Sequence, residues 1–166
     1  MNVEQARFNM IEQQIRPWDV LDAHVLHLLS VVRREDFVPP AYRALAFVDM
    51  EIPLPSGQCM LAPRVEARML QDLSVQKHET VLEIGAGSGH MAALLAHRAH
   101  SVLTLEIDAG LAAMAHMFPP ELGYQTPVAM LAPEQLIEVL AILQAWGYDE
   151  ESLALLMGGN LLRLFN

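Results

Sequence analysis

Cysteine is almost missing from this chain: Cys59 stands alone among 166 residues, so no internal disulfide can staple the fold. Basic residues are scarce as well. Ten Lys plus Arg face twenty Asp plus Glu, and the net charge of −10 repels phosphate backbones and anionic lipid headgroups. Neither nucleic acid nor a membrane surface is an expected partner. Long apolar runs are absent too. The windows 101–118 and 127–143 are broken by Glu106 and Asp108, and by Glu134, Gln135 and Glu138, whereas a bilayer span needs about 18 uninterrupted apolar residues. The opening MNVEQARFN has neither a basic stretch nor an apolar one, so a cytoplasmic location is expected. There is no internal repeat and no low-complexity tract. What the chain does have is apolar residues, 53% of the total, with a mean hydropathy of +0.26. That composition excludes disorder, and the length suits one ordinary domain.

Composition shifts near residue 109. Residues 1–108 carry nine of the ten basic residues against fourteen acidic ones, while 109–166 hold only Arg163 against six acids. Two regions are therefore expected, 1–108 and a tail over 109–166. In the first, a weak helix spans about 3–15, and Leu21, Val25, Leu28, Leu29 and Val32 form a helical stripe behind Asp19 as N-cap. Residues 37–63 are punctuated by Pro39, Pro40, Pro53, Pro55 and Gly57 and read as loop with short turns. Pro63 then opens a helix whose stripe is Val65, Met69, Leu70 and Leu73. Next come two β-prone runs, 80–84 and 101–107, joined by a helix over about 89–98. This is a β-α-β unit, whose strands should lie parallel. After Asp108 no strand is predicted. The tail is expected to be helical throughout, with a stripe at Leu136, Val139, Leu140 and Leu143 behind Pro133 and a last short helix capped by Asp149.

Chemistry concentrates at ValLeuGluIleGlyAlaGlySerGlyHis, 81–90, where Gly85, Gly87 and Gly89 follow a strand and open a helix. Glycines there permit a tight turn and a close approach of ligand to main chain, and amides at a helix start favour an anionic group. Glu106, seventeen positions beyond Gly89, ends the second strand, where a carboxylate can accept hydrogen bonds from both hydroxyls of a ribose. A dinucleotide loop places its third glycine three residues after the second, a position held here by His90. Gly-x-Gly-x-Gly behind an acid suits S-adenosyl-L-methionine better than a nicotinamide cofactor. The expected cofactor-binding residues are Glu83, Gly85, Ala86, Gly87, Ser88, Gly89 and Glu106. Two readings of Glu83 stand together: the acid of that pattern, or a buried acid satisfied by loop amides.

With those residues goes a family resemblance. GluGlnGlnIleArg at 12–16, ArgGluAspPheValPro at 34–39, Asp49, Pro53, Gly57-Gln58, Pro63 and the ValLeuGluIleGly run resemble the amino-terminal half of the protein-L-isoaspartate O-methyltransferases, over about residues 1–108. The resemblance implies a Rossmann-like methyltransferase fold, S-adenosyl-L-methionine as methyl donor, and an isoaspartyl carboxylate on a protein or peptide as acceptor. It also implies that the Gly85–Gly89 loop holds the methionine portion of the cofactor and Glu106 its ribose. Two departures follow. The family pattern carries hydroxyl residues where this chain has Cys59 and Leu61. An apolar Leu61 offers a carboxylate acceptor no hydrogen bond, so impaired or altered acceptor chemistry is expected. Cys59 has no basic neighbour in sequence to lower its pKa and reads as a small buried side chain. Secondly, residues 147–165 resemble the carboxy-terminal helices of amidohydrolase-type enzymes of the dipeptidase branch, from which nothing catalytic carries over. A truncated methyltransferase sheet with a tail foreign to it is the expected architecture.

The remaining features weigh less. His24 with His27, and His97 with His100, share i, i+3 spacing, but neither pair has a third ligand at helical spacing on its face, so no metal is expected. The ten methionines are core filler. Two functions compete: a methyltransferase-like enzyme of unidentified acceptor and catalytic residues, or a non-catalytic module without turnover. Two strands leave open edges and the tail an apolar stripe, so self-association is expected in either case.

Overall fold

Asn2 starts the first helix by taking up an orphan donor: the Gln5 amide donates to its Oδ1 at 3.2 Å, and α1 runs over Val3–Met10. In this computed structural model the described residues are 2–116 and 128–131, with 141, 144, 145 and 147 as isolated positions. Helix α1 passes into a wider π-type turn, Ile11–Ile15, that buries Ile11 and Ile15, so the predicted helix 3–15 is present with its last part unwound.

Helix α2, Ala23–Val31, is capped by Asp22, whose carboxylate accepts from the amides of His24 at 2.7 Å and Val25 at 3.2 Å. The cap expected at Asp19 is thereby corrected. Asp19 has φ 58° and reverses the chain after the short turn Arg16–Trp18, a left-handed conformation that Asp tolerates better than most residues. Leu21 consequently precedes the helix and is exposed, while Val25, Leu28, Leu29 and Val32 enter the core.

The proline-rich stretch forms 3₁₀ turns at Arg34–Asp36, Pro40–Leu45 and Pro55–Gly57, and a minimal antiparallel pair of β1, Ile52–Pro53, with β2, Cys59–Met60. Helix α3, Pro63–Leu73, opens with its proline in the first turn as expected. Its buried face is Pro63, Glu66, Ala67 and Leu70, whereas Met69 and Leu73 are 44% and 55% exposed. The predicted stripe is therefore turned. An apolar pattern cannot register that a glutamate is inside, and Glu66 is inside because it pairs with Arg34.

Strands β3, Thr80–Ile84, and β4, Ser101–Leu105, pair in parallel with Thr80 opposite Ser101 and Ile84 opposite Leu105, and α4, His90–Ala96, crosses between them. Helix α5, Ala109–His116, follows, and β5, Val128–Leu131, pairs in parallel with the other side of β4. The expectation of no strand after Asp108, and hence of an all-helical tail, is wrong at this point. ValAlaMetLeu is too short for a period of 2 to be told from one of 3.6, and only pairing with β4 identifies it. The composition change near 109 is not an end of the packing either, since Leu111 is fully buried in the core that holds Ile15, Val25, Ile52, Leu70 and Leu94. The predicted stripe at 136–143, the cap at Asp149 and the dipeptidase-like stretch 147–165 fall outside the described residues, residue 147 apart. Sheet order is β3-β4-β5, so the carboxyl ends of β3 and β4 lie side by side.

The two faces of α3 can be checked directly. Leu70→Ala is expected to cost about 2–5 kcal/mol and Leu73→Ala less than about 0.5 kcal/mol, measured by urea unfolding; equal losses would refute the assigned face.

Candidate functional site

At the carboxyl edge of the sheet the chain must leave β3 and enter α4 within five residues, and three glycines make that possible. Gly85, Gly87 and Gly89 have φ of 90°, 54° and 78°, a region side chains disfavour. A Cβ on Gly85 would meet nothing within 4 Å, so the loop presents an open cradle there, while one on Gly87 would lie 3.5 Å from Leu54 Cδ1. Ala86, Ser88 and Gly89 are buried beneath the turn.

The loop's amides are less available than the sequence suggests. Gly85 and Ala86 both donate to the Leu105 carbonyl, at 2.8 and 3.2 Å, and Gly87 donates to Glu106 Oε2 at 2.8 Å. What faces a ligand at Gly85 is accordingly an uncluttered backbone rather than a free donor. Glu106, 6% exposed, also accepts from the Asp108 amide through Oε1 at 3.0 Å. Each of its oxygens thus has one backbone donor and a further lone pair, which is the capacity a vicinal diol needs. The predicted group of Gly85, Ala86, Gly87, Ser88, Gly89 and Glu106 is brought together at the ends of two adjacent strands.

Glu83 is half-buried in β3. Neither sequence reading describes its partner, because the Thr104 hydroxyl of β4, not a loop amide, donates to Glu83 Oε2 at 2.5 Å. Burial pushes the carboxyl up to about 7; the Thr104 hydrogen bond opposes this, and the carboxylates of Glu66 and Glu106 add to it. Glu83 therefore titrates near neutrality rather than in the usual carboxylate range.

Four neighbours complete the surroundings of the site. Leu54 packs toward Gly87, and Ser56, itself at φ 58°, donates to Asp108 Oδ2 at 2.5 Å. Asp108 caps α5 through the Leu111 amide at 2.8 Å, and its carboxyl is held below the usual range by Ser56 first and by Leu111 next. Ile107 is 82% exposed directly beside Glu106, an apolar face at a polar rim. The Asp108 cap is readable in sequence as an Asp ahead of a helix; the contact with Ser56, 52 positions away, is not.

Cys59 is exposed, which corrects its reading as a buried side chain. Its thiol is nonetheless raised, by burial of the sulfur first and then by Glu51, so no activated nucleophile stands there. The carbonyl of Leu61 accepts from Arg34 Nη2 at 2.6 Å. His24, His27 and His97 border one cleft of about 540 Å³ together with Lys77 and Arg98, and among the described residues no three metal-ligating side chains gather. No described helix is long and apolar enough to cross a membrane.

A parallel sheet with a glycine turn after one strand and a carboxylate closing the next defines an α/β unit of Rossmann-like fold. The family model of the protein-L-isoaspartate(D-aspartate) O-methyltransferases matches residues 5–117, and the chain belongs to that family. A protein-L-isoaspartate O-methyltransferase 2 of Anaeromyxobacter sp. is 40% identical over 121 residues, 73% of this chain and 50% of that protein. One from Aeropyrum pernix is 47% identical over 92 residues, 55% of this chain and 35% of that protein. Among solved structures, a Plasmodium falciparum protein-L-isoaspartate O-methyltransferase in complex with S-adenosyl-L-homocysteine superimposes with a TM-score of 0.62 at 17% identity, over 79% of this chain and 62% of that one. That likeness shows the methyltransferase fold. The chain spans about half the length of the curated relatives it matches.

The Glu83 carboxyl sets a pH dependence. Unfolded, it loses its proton near the usual 4.5; folded, it keeps it until about 7, so stability falls as pH rises through that window and is flat beyond it. Glu83→Gln, which keeps an acceptor for Thr104, is expected to abolish the slope and to be more stable than the parent at pH 8 by on the order of 3 kcal/mol. Parallel stability curves for the two proteins between pH 4.5 and 7, by chemical denaturation, would overturn the assignment.

Proposed function

We propose that this chain binds S-adenosyl-L-methionine at the carboxyl ends of β3 and β4 and is a methyltransferase-like protein of the protein carboxyl type, with impaired or altered acceptor chemistry. The observation that carries the reading is the juxtaposition of the open Gly85 backbone with Glu106, whose carboxylate is fixed by the Gly87 and Asp108 amides. Gly85, Ala86, Gly87, Ser88 and Gly89 would cradle the amino-acid end of the cofactor, Glu106 its ribose hydroxyls, and Ile107 the flat face of its base. Glu83 is held by Thr104 of the neighbouring strand. When bound, the cofactor supplies an electrophilic methyl group on a sulfonium. The chain's own task is then to orient an acceptor in line with that methyl and to exclude water.

Leu61 bears on the acceptor. A carboxylate nucleophile needs a donor to hold it, and the hydroxyls of the family pattern are replaced here by the Cys59 thiol and an isobutyl group. The donor is a small molecule and the acceptor a protein or peptide. The second reading, a binding module without turnover, rests on the same replacements. The cofactor-binding region is taken as 1–108, with β5 extending its sheet, and self-association is expected through the sheet edges that are unpaired among the described residues.

Calorimetric titration with S-adenosyl-L-homocysteine, beside NAD as control, tests the site. The demethylated cofactor is expected to bind and NAD not to. Gly87→Val should abolish binding, because a β-branched residue at φ 54° displaces the loop. Glu106→Ala should weaken it by about 1–3 kcal/mol. Unaltered affinity in both variants would sink the assignment.

Transfer of labelled methyl groups to an isoaspartyl peptide is expected to be weak or absent, and Leu61→Ser alone should not restore it. Robust transfer by the parent chain would show that acceptor chemistry is intact.

A further inference from the structure

Three charged or polar side chains meet in the core where an apolar fold would place none. Arg34 is 2% exposed, Glu66 4% and His90 1%, and they come from three separate elements: the turn Arg34–Asp36, α3 and the first residue of α4. Arg34 Nη1 pairs with Glu66 Oε2, and His90 Nδ1 lies 3.0 Å from that same oxygen and 3.3 Å from Arg34 Nη1. With its proton on Nδ1 the imidazole donates to Glu66. The rest of the guanidinium reaches two backbone carbonyls, Nε donating to Ala46 at 2.9 Å and Nη2 to Leu61 at 2.6 Å. One carboxylate oxygen thus joins a side chain that holds the Cys59–Leu61 loop to a side chain that begins directly after Gly89.

We propose that Arg34 is a positioning residue which, through Glu66 and His90, holds the loop carrying Cys59 and Leu61 in fixed register with the glycine loop. The inference rests on the reading that 85–89 is the cofactor loop and 59–61 the acceptor side. Its physical basis is that each buried charge is satisfied by the others and by fixed carbonyls. Displacing either loop would leave Arg34 or Glu66 unpaired in the interior, a cost far above that of sliding apolar contacts. The glycine loop lies outside the ladder and the Cys59–Leu61 segment has only the two-residue pairing of β2 with β1, so both depend on such a tie. His90 is held from its other side by an edge-to-face contact with Phe37, ring centroids 5.1 Å apart, so it cannot swing away from Glu66 freely.

Amide hydrogen exchange on the whole, ligand-free chain tests this. Arg34→Lys keeps the charge but cannot reach Glu66, Ala46 and Leu61 together. His90→Leu removes the donor to Glu66, whereas His90→Asn replaces Nδ1 with an amide nitrogen at a similar place. Arg34→Lys and His90→Leu are expected to speed exchange about tenfold in both segments, 58–62 and 85–89, with α2 unchanged and His90→Asn close to the parent. A purely packing role predicts the reverse order for Leu and Asn. Faster exchange confined to the segment next to the altered residue, faster exchange everywhere, or equal behaviour of the two His90 variants would overturn the proposal. Should Arg34→Lys fail to fold, the His90 pair still decides. S-adenosyl-L-homocysteine added to the parent chain separates the two ideas: failure to bind would remove the cofactor reading while leaving the exchange result to stand, and binding without slower exchange at 58–62 would count against the coupling alone.

Discussion

Everything at this site depends on how the end of β3 is tied to the end of β4. Parallel strands share no hairpin, so their relative register comes only from ladder bonds and from whatever holds the crossover in place. Here the tie continues past the ladder. The Leu105 carbonyl takes two amides from the glycine loop and Glu106 takes a third, so the turn into α4 is fastened to β4 before α4 begins. Three residues with positive φ are strained for any side chain, and glycine removes the strain without supplying contacts. The carboxylate supplies the contacts. One acid therefore does two jobs, completing the turn and leaving lone pairs toward solvent.

The second constraint is charge in the interior of an acidic chain. Arg7 and Arg34 are buried, and each is matched by a glutamate, Glu35 and Glu66 respectively. Burial raises the Glu66 carboxyl, but the facing His90 and Arg34 outweigh it and hold the group below its ordinary range. Glu83 goes the other way: half-buried, with a hydroxyl as partner and carboxylates for neighbours, its carboxyl is pushed up to about 7. Two glutamates are thus shifted in opposite directions because one has the Arg34 guanidinium and the His90 ring beside it and the other does not. Pairing of this kind contributes less net stability than apolar packing but fixes which elements meet.

The contrast explains what was legible in the sequence. The β-α-β unit, the glycine loop and Glu106 were readable because each rests on local chemistry: a short β-prone run, a turn that only glycine tolerates, an acid at a strand end. The buried face of α3 was not, since hydrophobic periodicity treats Glu66 as a solvent residue. The cap at Asp22 was missed in favour of Asp19 because both are acids ahead of the same stripe, and backbone conformation alone distinguishes them. Strand β5 was missed because its evidence is the partner it pairs with, 26 residues earlier at Val102. Ser56 with Asp108, and Arg34 with Leu61, are likewise contacts between distant segments that no spacing announces.

The proposed function asks two separate things of these residues. Cofactor binding draws on strand ends and a glycine turn, where geometry is set by the sheet. Acceptor binding, on that proposal, would draw on the Cys59–Leu61 segment, where two residues of minimal strand leave the backbone to be placed by side chains. The first tolerates loss of the second: a cradle can hold its ligand whether or not a nucleophile arrives. The converse fails, because in-line transfer requires reacting atoms about 3–3.5 Å apart and a misplacement of about 1 Å costs roughly a hundredfold in rate. Replacing a hydroxyl with Leu61 removes the group that would hold a carboxylate but leaves the loop's backbone tied through Arg34, so the framework for placing an acceptor persists where the polar contact does not. On the proposed reading, an acceptor matched to such a loop would be held by shape and apolar contact, or through the exposed Cys59 thiol as a weak donor, and not by a ring of hydroxyls.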